Sequence, residues 1–129
     1  MNIQIKISPG ELLDKITILE LKLLKINDQA KLDNIMSEFD SLNPFVNQLL
    51  EEFEKPLKDK YLHLSEVNGK LWDIEDKIRV KEKNKEFDDE FIELARSVYK
   101  QNDKRSVIKK YINLMTNSDL VEEKSYEEY

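Results

Sequence analysis

Residues 8–26 read SPGELLDKITILELKLLKI, and this stretch decides the fold class. Ser8 offers a side-chain oxygen to free backbone N–H groups, Pro9 suits the first helical position, and Glu11 closes a capping box. Leu12, Ile16, Leu19, Leu23 and Ile26 follow at spacings of 4, 3, 4 and 3, one apolar stripe along a helix. Leu13, Leu21 and Leu24 widen that stripe, so a central position is expected for this helix. Asn27-Asp28 ends or bends it. Immediately upstream, Ile3, Ile5 and Ile7 alternate with Asn2, Gln4 and Lys6, the period of a half-buried strand. One strand is not stable alone, so it is expected to pair with the C-terminal segment or with its own copy in a second subunit.

Working downstream, a second helix is expected over about Gln29 to Leu42, with Leu32, Ile35, Met36 and Phe39 inward. Asn43-Pro44 repeats the cap-plus-proline start and predicts a short helix carrying Phe45, Val46, Leu49, Leu50 and Phe53, broken or kinked at Pro56. A long helix from about Leu57 shows Leu64, Val67, Leu71, Ile74 and Ile78, and ends in the polar turn around Lys85 to Asp88. Asp88 is the expected cap of a last helical segment bearing Phe91, Ile92, Ala95, Val98, Tyr99, Val107, Ile108, Tyr111, Ile112 and Met115. Asn102-Asp103 either caps a new helix or interrupts one. Residues 117–129 carry no helical stripe and read as an acidic tail tied down by Leu120 and Val121. The expected architecture is all-α: an antiparallel bundle of four to five helices with a short N-terminal β-strand, in one domain spanning 1–129.

Composition narrows the chemistry. There is no cysteine, so disulfides and thiolate chemistry are excluded, and the single histidine, His63, leaves no His-rich metal site. His63 is expected at a surface or edge. The net charge of −6 argues against nucleic acid as the main partner, since that binding rests on neutralising phosphates. Lys100, Lys104, Arg105, Lys109 and Lys110 form a local basic run whose ordinary reading is a solvated helix face. No apolar stretch is long enough to insert into a membrane, and the N-terminus lacks the pattern of a signal peptide, so a cytoplasmic location is the default expectation.

Chemistry is expected where polar residues border the apolar stripes. Asn68, Trp72, Glu75, Arg79 and Glu82 recur at spacings of 4, 3, 4 and 3, with Asp76 adjacent. Arg96, Tyr99 and Asp103 share a face of the last helix; if it is continuous, Asn102 and Arg105 come close to the core seam. Arg79, Arg96 and Arg105 are the only arginines beside 18 lysines, and only arginine offers a rigid planar fork for anions. Gly69 within a helix suggests close packing of another backbone or a ligand. Trp72 by itself reads more readily as a core or interface residue.

Two enzyme families offer comparisons. The acidic pairs Asp73/Asp76 and Glu90/Glu93 loosely resemble the paired acids by which all-α nucleotide pyrophosphohydrolases hold magnesium. The acid content alone supplies as many such pairs as occur here. All-helical chorismate mutases place basic residues in a bundle core, for which Arg79, Lys81 and Arg96 are available, but their early arginine on the first helix is missing.

Several segments together resemble a family of short bacterial and viral helical proteins of unknown function. They are Ser8 to Leu19, Asn68 and Leu71 to Asp76 with Arg79, Phe91 to Tyr99 with Asn102-Asp103, and Leu120 to Tyr126. The resemblance implies no activity, partner or cofactor. It implies that Glu11, Asp14, Lys15, Asn68, Trp72, Glu75, Asp76, Arg79, Arg96, Asn102, Asp103 and Arg105 belong to the family pattern, as does the acidic C-terminal end. Two functions stay open. One is a binding or interaction module, a homo-oligomer or a partner of another protein, whose polar cluster fixes helix register. The other is a Mg²⁺-dependent enzyme acting on a phosphorylated or anionic small molecule, the arginines clamping the anion while Glu75, Asp76 and Asp103 hold metal or act as base. An open cleft where these residues converge would distinguish the second from the first.

Overall fold

A computed structural model describes residues 1–129 as three helices: α1 (Pro9–Lys25), α2 (Gln29–Asn84) and α3 (Asp89–Met115). Each start is fixed by a side chain three residues upstream of the N–H it captures. Ser8 Oγ accepts from Glu11 N at 3.2 Å, Asp28 Oδ1 from Lys31 N at 3.1 Å, and Asp88 Oδ1 from Phe91 N at 2.9 Å. The turn between α2 and α3 closes around Lys81, which lies 2.8 Å from Asp88 and 3.2 Å from both Glu86 and Glu90. Hydrogen bonds to Asp88 and Glu86 hold the Lys81 ammonium above the usual lysine range. The bond from Lys81, with that from the Phe91 N–H, holds Asp88 below the usual carboxylate range.

Three helices and no strand replace the expected four to five with a strand. Pro44 lies inside α2 without ending it. The carbonyl its ring leaves unbonded is that of Asp40, an exposed residue where water can serve instead. The real break comes at Glu54, which has φ 54° and ψ −139° two residues before Pro56. Asn102-Asp103 does not interrupt α3. Residues 1–7 form no regular secondary structure, none of their backbone groups finds a partner, and Ile3 and Ile5 are 79% and 78% exposed.

The apolar core is small and lies where all three helices meet. It consists of Leu12, Leu13, Ile16 and Leu19 from α1, Val46, Leu57 and Leu64 from α2, and Ile112 from α3. Beyond it, α2 and α3 continue as an antiparallel hairpin in which Ile74, Ile78, Phe91, Leu94 and Val98 are half-buried. No helix is long and apolar enough to cross a membrane. The tail after α3 carries no helix and is tied down by polar groups rather than by Leu120 and Val121, which stay exposed. Glu122 reaches Lys109 at 2.9 Å, Glu123 reaches Lys110 at 3.8 Å, and the Tyr129 hydroxyl donates to Asp103 at 2.6 Å.

Candidate functional site

The centre of the site is a carboxylate placed inside the bundle. Asp14 faces inward on α1 beside Leu13, with its side chain only 3% exposed. An ionised carboxylate there needs partners, because burial removes its hydration. Asn68 Nδ2 on α2 donates to Asp14 Oδ1 at 2.9 Å and to Thr17 Oγ1 at 2.8 Å. Arg105 on α3 meets Asp14 at 3.1 Å, and Lys109, one turn further, lies 3.8 Å away. Asp14 therefore joins all three helices.

Lys109 is the second buried charge. Its ammonium contacts Glu11 at 2.7 Å and Glu122 at 2.9 Å, with the side chain 8% exposed. Burial pulls this lysine down, but the hydrogen bonds to Glu11 and Glu122 and the charge of Asp14 overcome it and hold it above the usual range. The same bond from Lys109 holds Glu122 below the usual range. Alongside, Gly10 N donates to Asn113 Oδ1 at 2.8 Å. A Cβ on Gly10 would lie 2.6 Å from the Lys109 carbonyl oxygen, so only glycine lets α1 approach α3 this closely.

Beside this network opens a cleft of about 320 Å³ lined by α1 and α2 and by Arg105 of α3. Ile18, Leu21 and Leu71 form its apolar wall, and Asn68, Trp72, Glu75, Asp76, Arg79 and Arg105 line the rest. Arg105 belongs to both features: its Nη2 meets Asp14, and its side chain is also among those that line the cleft. Arg79 pairs with Glu75 one turn earlier and is largely exposed. Gly69 does not serve close packing, because a Cβ there would meet only Leu21 Cδ2, at 4.0 Å.

Of the residues singled out in the sequence, those six converge on the cleft, and Glu11 and Asp14 form the network behind it. The others lie elsewhere. Lys15 pairs with Glu38 of α2 at 2.7 Å. Arg96 pairs with Glu93 at 2.6 Å on the outer face of α3. Tyr99, Asn102 and Asp103 border a separate recess against the tail, where Tyr99 packs edge-on to Tyr129. Asn102 also accepts a long bond from Arg105, at 3.5 Å. The acidic pairs do not assemble: Glu90 is taken by Lys81, Glu93 by Arg96, and nowhere do three His, Cys, Asp or Glu side chains come close enough to hold a metal ion. Lys109, Thr17, Asn113 and Glu122 were not singled out as site residues. The signal for Lys109 was its spacing of four from Arg105 and three from Ile112, a helical face shared with the core.

From residue 3 to residue 129 the sequence matches the model of a family of unknown function, DUF6165. The chain belongs to the DUF6165 family. No curated protein and no solved structure matches this DUF6165 chain.

Proposed function

We propose that this protein is a non-catalytic binding module whose Trp72 cleft takes a compact zwitterion of the size of a free amino acid with an apolar side chain. The observation that carries the reading is the make-up of the cleft. Two guanidinium groups, Arg79 and Arg105, stand with two carboxylates, Glu75 and Asp76, beside the apolar wall and the indole. The balanced charge favours a ligand bearing both signs. A ligand carboxylate suits the planar fork of arginine, and an ammonium suits the acids. The volume lies at the small end of the range for small-molecule sites. Asp14 supports the reading by holding Arg105 in place without filling the cleft.

Titration calorimetry with each proteinogenic amino acid tests this. Saturable binding of apolar amino acids, lost in Arg79→Ala, is the expected result; no heat of binding with any of them refutes the reading.

A second reading concerns assembly, and the bare N-terminal segment favours it. Ile3 and Ile5 are exposed with every backbone group from residue 1 to 7 unpaired, an arrangement suited to pairing with the same segment of a second copy. Sedimentation should then show a dimer for the full chain and a monomer for Ile3→Ser/Ile5→Ser. A monomer for both excludes it.

A further inference from the structure

Few contacts hold the C-terminal tail to the bundle. It has no helix, Leu120 and Val121 stay exposed, and its shortest ion pair is Glu122 to Lys109 at 2.9 Å, with Glu123 reaching Lys110 only at 3.8 Å. A segment that buries so little apolar surface opens without unfolding the domain.

The lysine that Glu122 meets is not a surface one. Lys109 is 8% exposed, and its ammonium serves three acids: Glu11 of α1 at 2.7 Å, Glu122 of the tail, and Oδ2 of Asp14 at 3.8 Å. The same Asp14 oxygen meets Arg105 Nη2 at 3.1 Å, and Arg105 lines the Trp72 cleft. One carboxylate oxygen thus stands between a lysine that the tail neutralises and an arginine that borders the cleft.

A buried ammonium deprived of one counter-charge draws harder on those that remain. For Lys109 these are Glu11, already in contact, and Asp14 Oδ2, about 1 Å beyond the length of a charged hydrogen bond. An oxygen that bonds two cations holds each less tightly. Arg105, 30% exposed, can turn to water, whereas Lys109 cannot, so Arg105 gives way. Losing the Glu122 charge also leaves Arg105 more positive, which by itself favours a bound anion. That effect is the weaker one. Of the cations acting on Glu122, Lys109 counts most and Arg105 least, and Glu122 is half-exposed, so water screens its longer-range pull.

We propose that the acidic tail regulates the cleft: docked through Glu122, it leaves Asp14 free to hold Arg105 in its binding position, and released, it loosens Arg105 and weakens the grip on a ligand carboxylate. The ligand in this coupling is that of the zwitterion reading, on which this part rests; the link from Glu122 to Arg105 stands without it.

Side-chain Nε–H relaxation of the full chain, which has only three arginines, tests the link with no ligand present. In Glu122→Ala the heteronuclear Overhauser effect of Arg105 Nε–H should fall and the Trp72 indole N–H signal should shift, while Arg79 and Arg96 keep their wild-type values. Glu123→Ala removes the same charge from a pair outside the Asp14 network and should change neither reporter. By calorimetry, leucine affinity should drop about fivefold in Glu122→Ala, the low end of coupling between sites, and stay within about twofold in Glu123→Ala. An Overhauser effect at Arg105 that Glu122→Ala leaves unchanged, or that falls equally in both variants, overturns the proposal, as does leucine affinity that Glu122→Ala leaves intact. Wild-type protein that binds no amino acid refutes the zwitterion reading alone, and the relaxation of Arg105 then decides the coupling.

Discussion

Replacing Asp14 by alanine tests how the bundle holds its buried charges. The carboxylate accepts from Asn68 at 2.9 Å and faces Arg105 at 3.1 Å and Lys109 at 3.8 Å, with its side chain 3% exposed. Breaking a buried ion pair by deleting one partner costs about 3–5 kcal/mol, because the other charge stays desolvated. Two features moderate the loss here. Arg105 is 30% exposed and can turn its guanidinium to water, and Lys109 keeps Glu11 and Glu122. The lower end, about 3 kcal/mol, is therefore expected, lowering the melting temperature by about 10 °C in a domain of this size. Urea unfolding followed by far-ultraviolet circular dichroism reads it directly. Arg79→Ala removes only an exposed pair and should stay within about 0.5 kcal/mol of wild type. A double-mutant cycle between Asp14→Ala and Arg105→Ala should give a coupling of about 1 kcal/mol or more. If Asp14→Ala also unfolds within about 0.5 kcal/mol of wild type, the buried network is not what joins the three helices, and the reasoning fails.

Gly10→Ala should lower the urea midpoint, since its Cβ would meet the Lys109 backbone oxygen at 2.6 Å and the Asn113 Oδ1 at 2.7 Å, whereas Gly69→Ala should raise stability by about 1 kcal/mol, having room and a better helix former. At Glu54, φ 54° strains any residue with a Cβ, so Glu54→Gly should stabilise by about 1 kcal/mol in the same assay. Glu122 is held below its ordinary value of 4.5 by the bond from Lys109, so its contribution is full above that value and is lost as pH falls through the depressed folded one. An acid titration followed by amide shifts of residues 120–124 should show the tail leaving Lys109 in that window, and Glu122→Gln should abolish the step.

Much of the fold was legible because helix starts are local. Ser8 and Asp88 sit one side chain away from the N–H groups they cap, so sequence alone places them. The same local grammar misled at Asn43-Pro44, where nothing nearby shows that an exposed Asp40 carbonyl can do without its helical bond. The expected N-terminal strand does not form for the opposite reason: alternation describes a segment, while a strand needs a partner, and no other segment of the chain pairs with residues 1–7. Site residues divide in the same way. Asn68, Trp72, Glu75 and Arg79 follow helical spacing on a single helix and do converge. Arg96 does not join Arg105, because an offset of nine residues makes about two and a half turns and puts the two on opposite faces. Lys109 shares a helical face with Arg105 and Ile112, but it stands in a lysine-rich run whose ordinary reading is a solvated face, and that masks its burial.

The most direct test of the binding reading uses the protein's single tryptophan. Trp72 forms part of the cleft, so its emission has one source and reports on one place. Titration with leucine, isoleucine, valine, methionine and phenylalanine should give a saturable change in emission. That change should vanish with the N-acetyl and carboxamide derivatives of the same compounds, which lack one of the two charges, and in Arg79→Ala. An emission spectrum that none of the free amino acids alters, or that the blocked derivatives alter equally, contradicts a zwitterion site in this cleft.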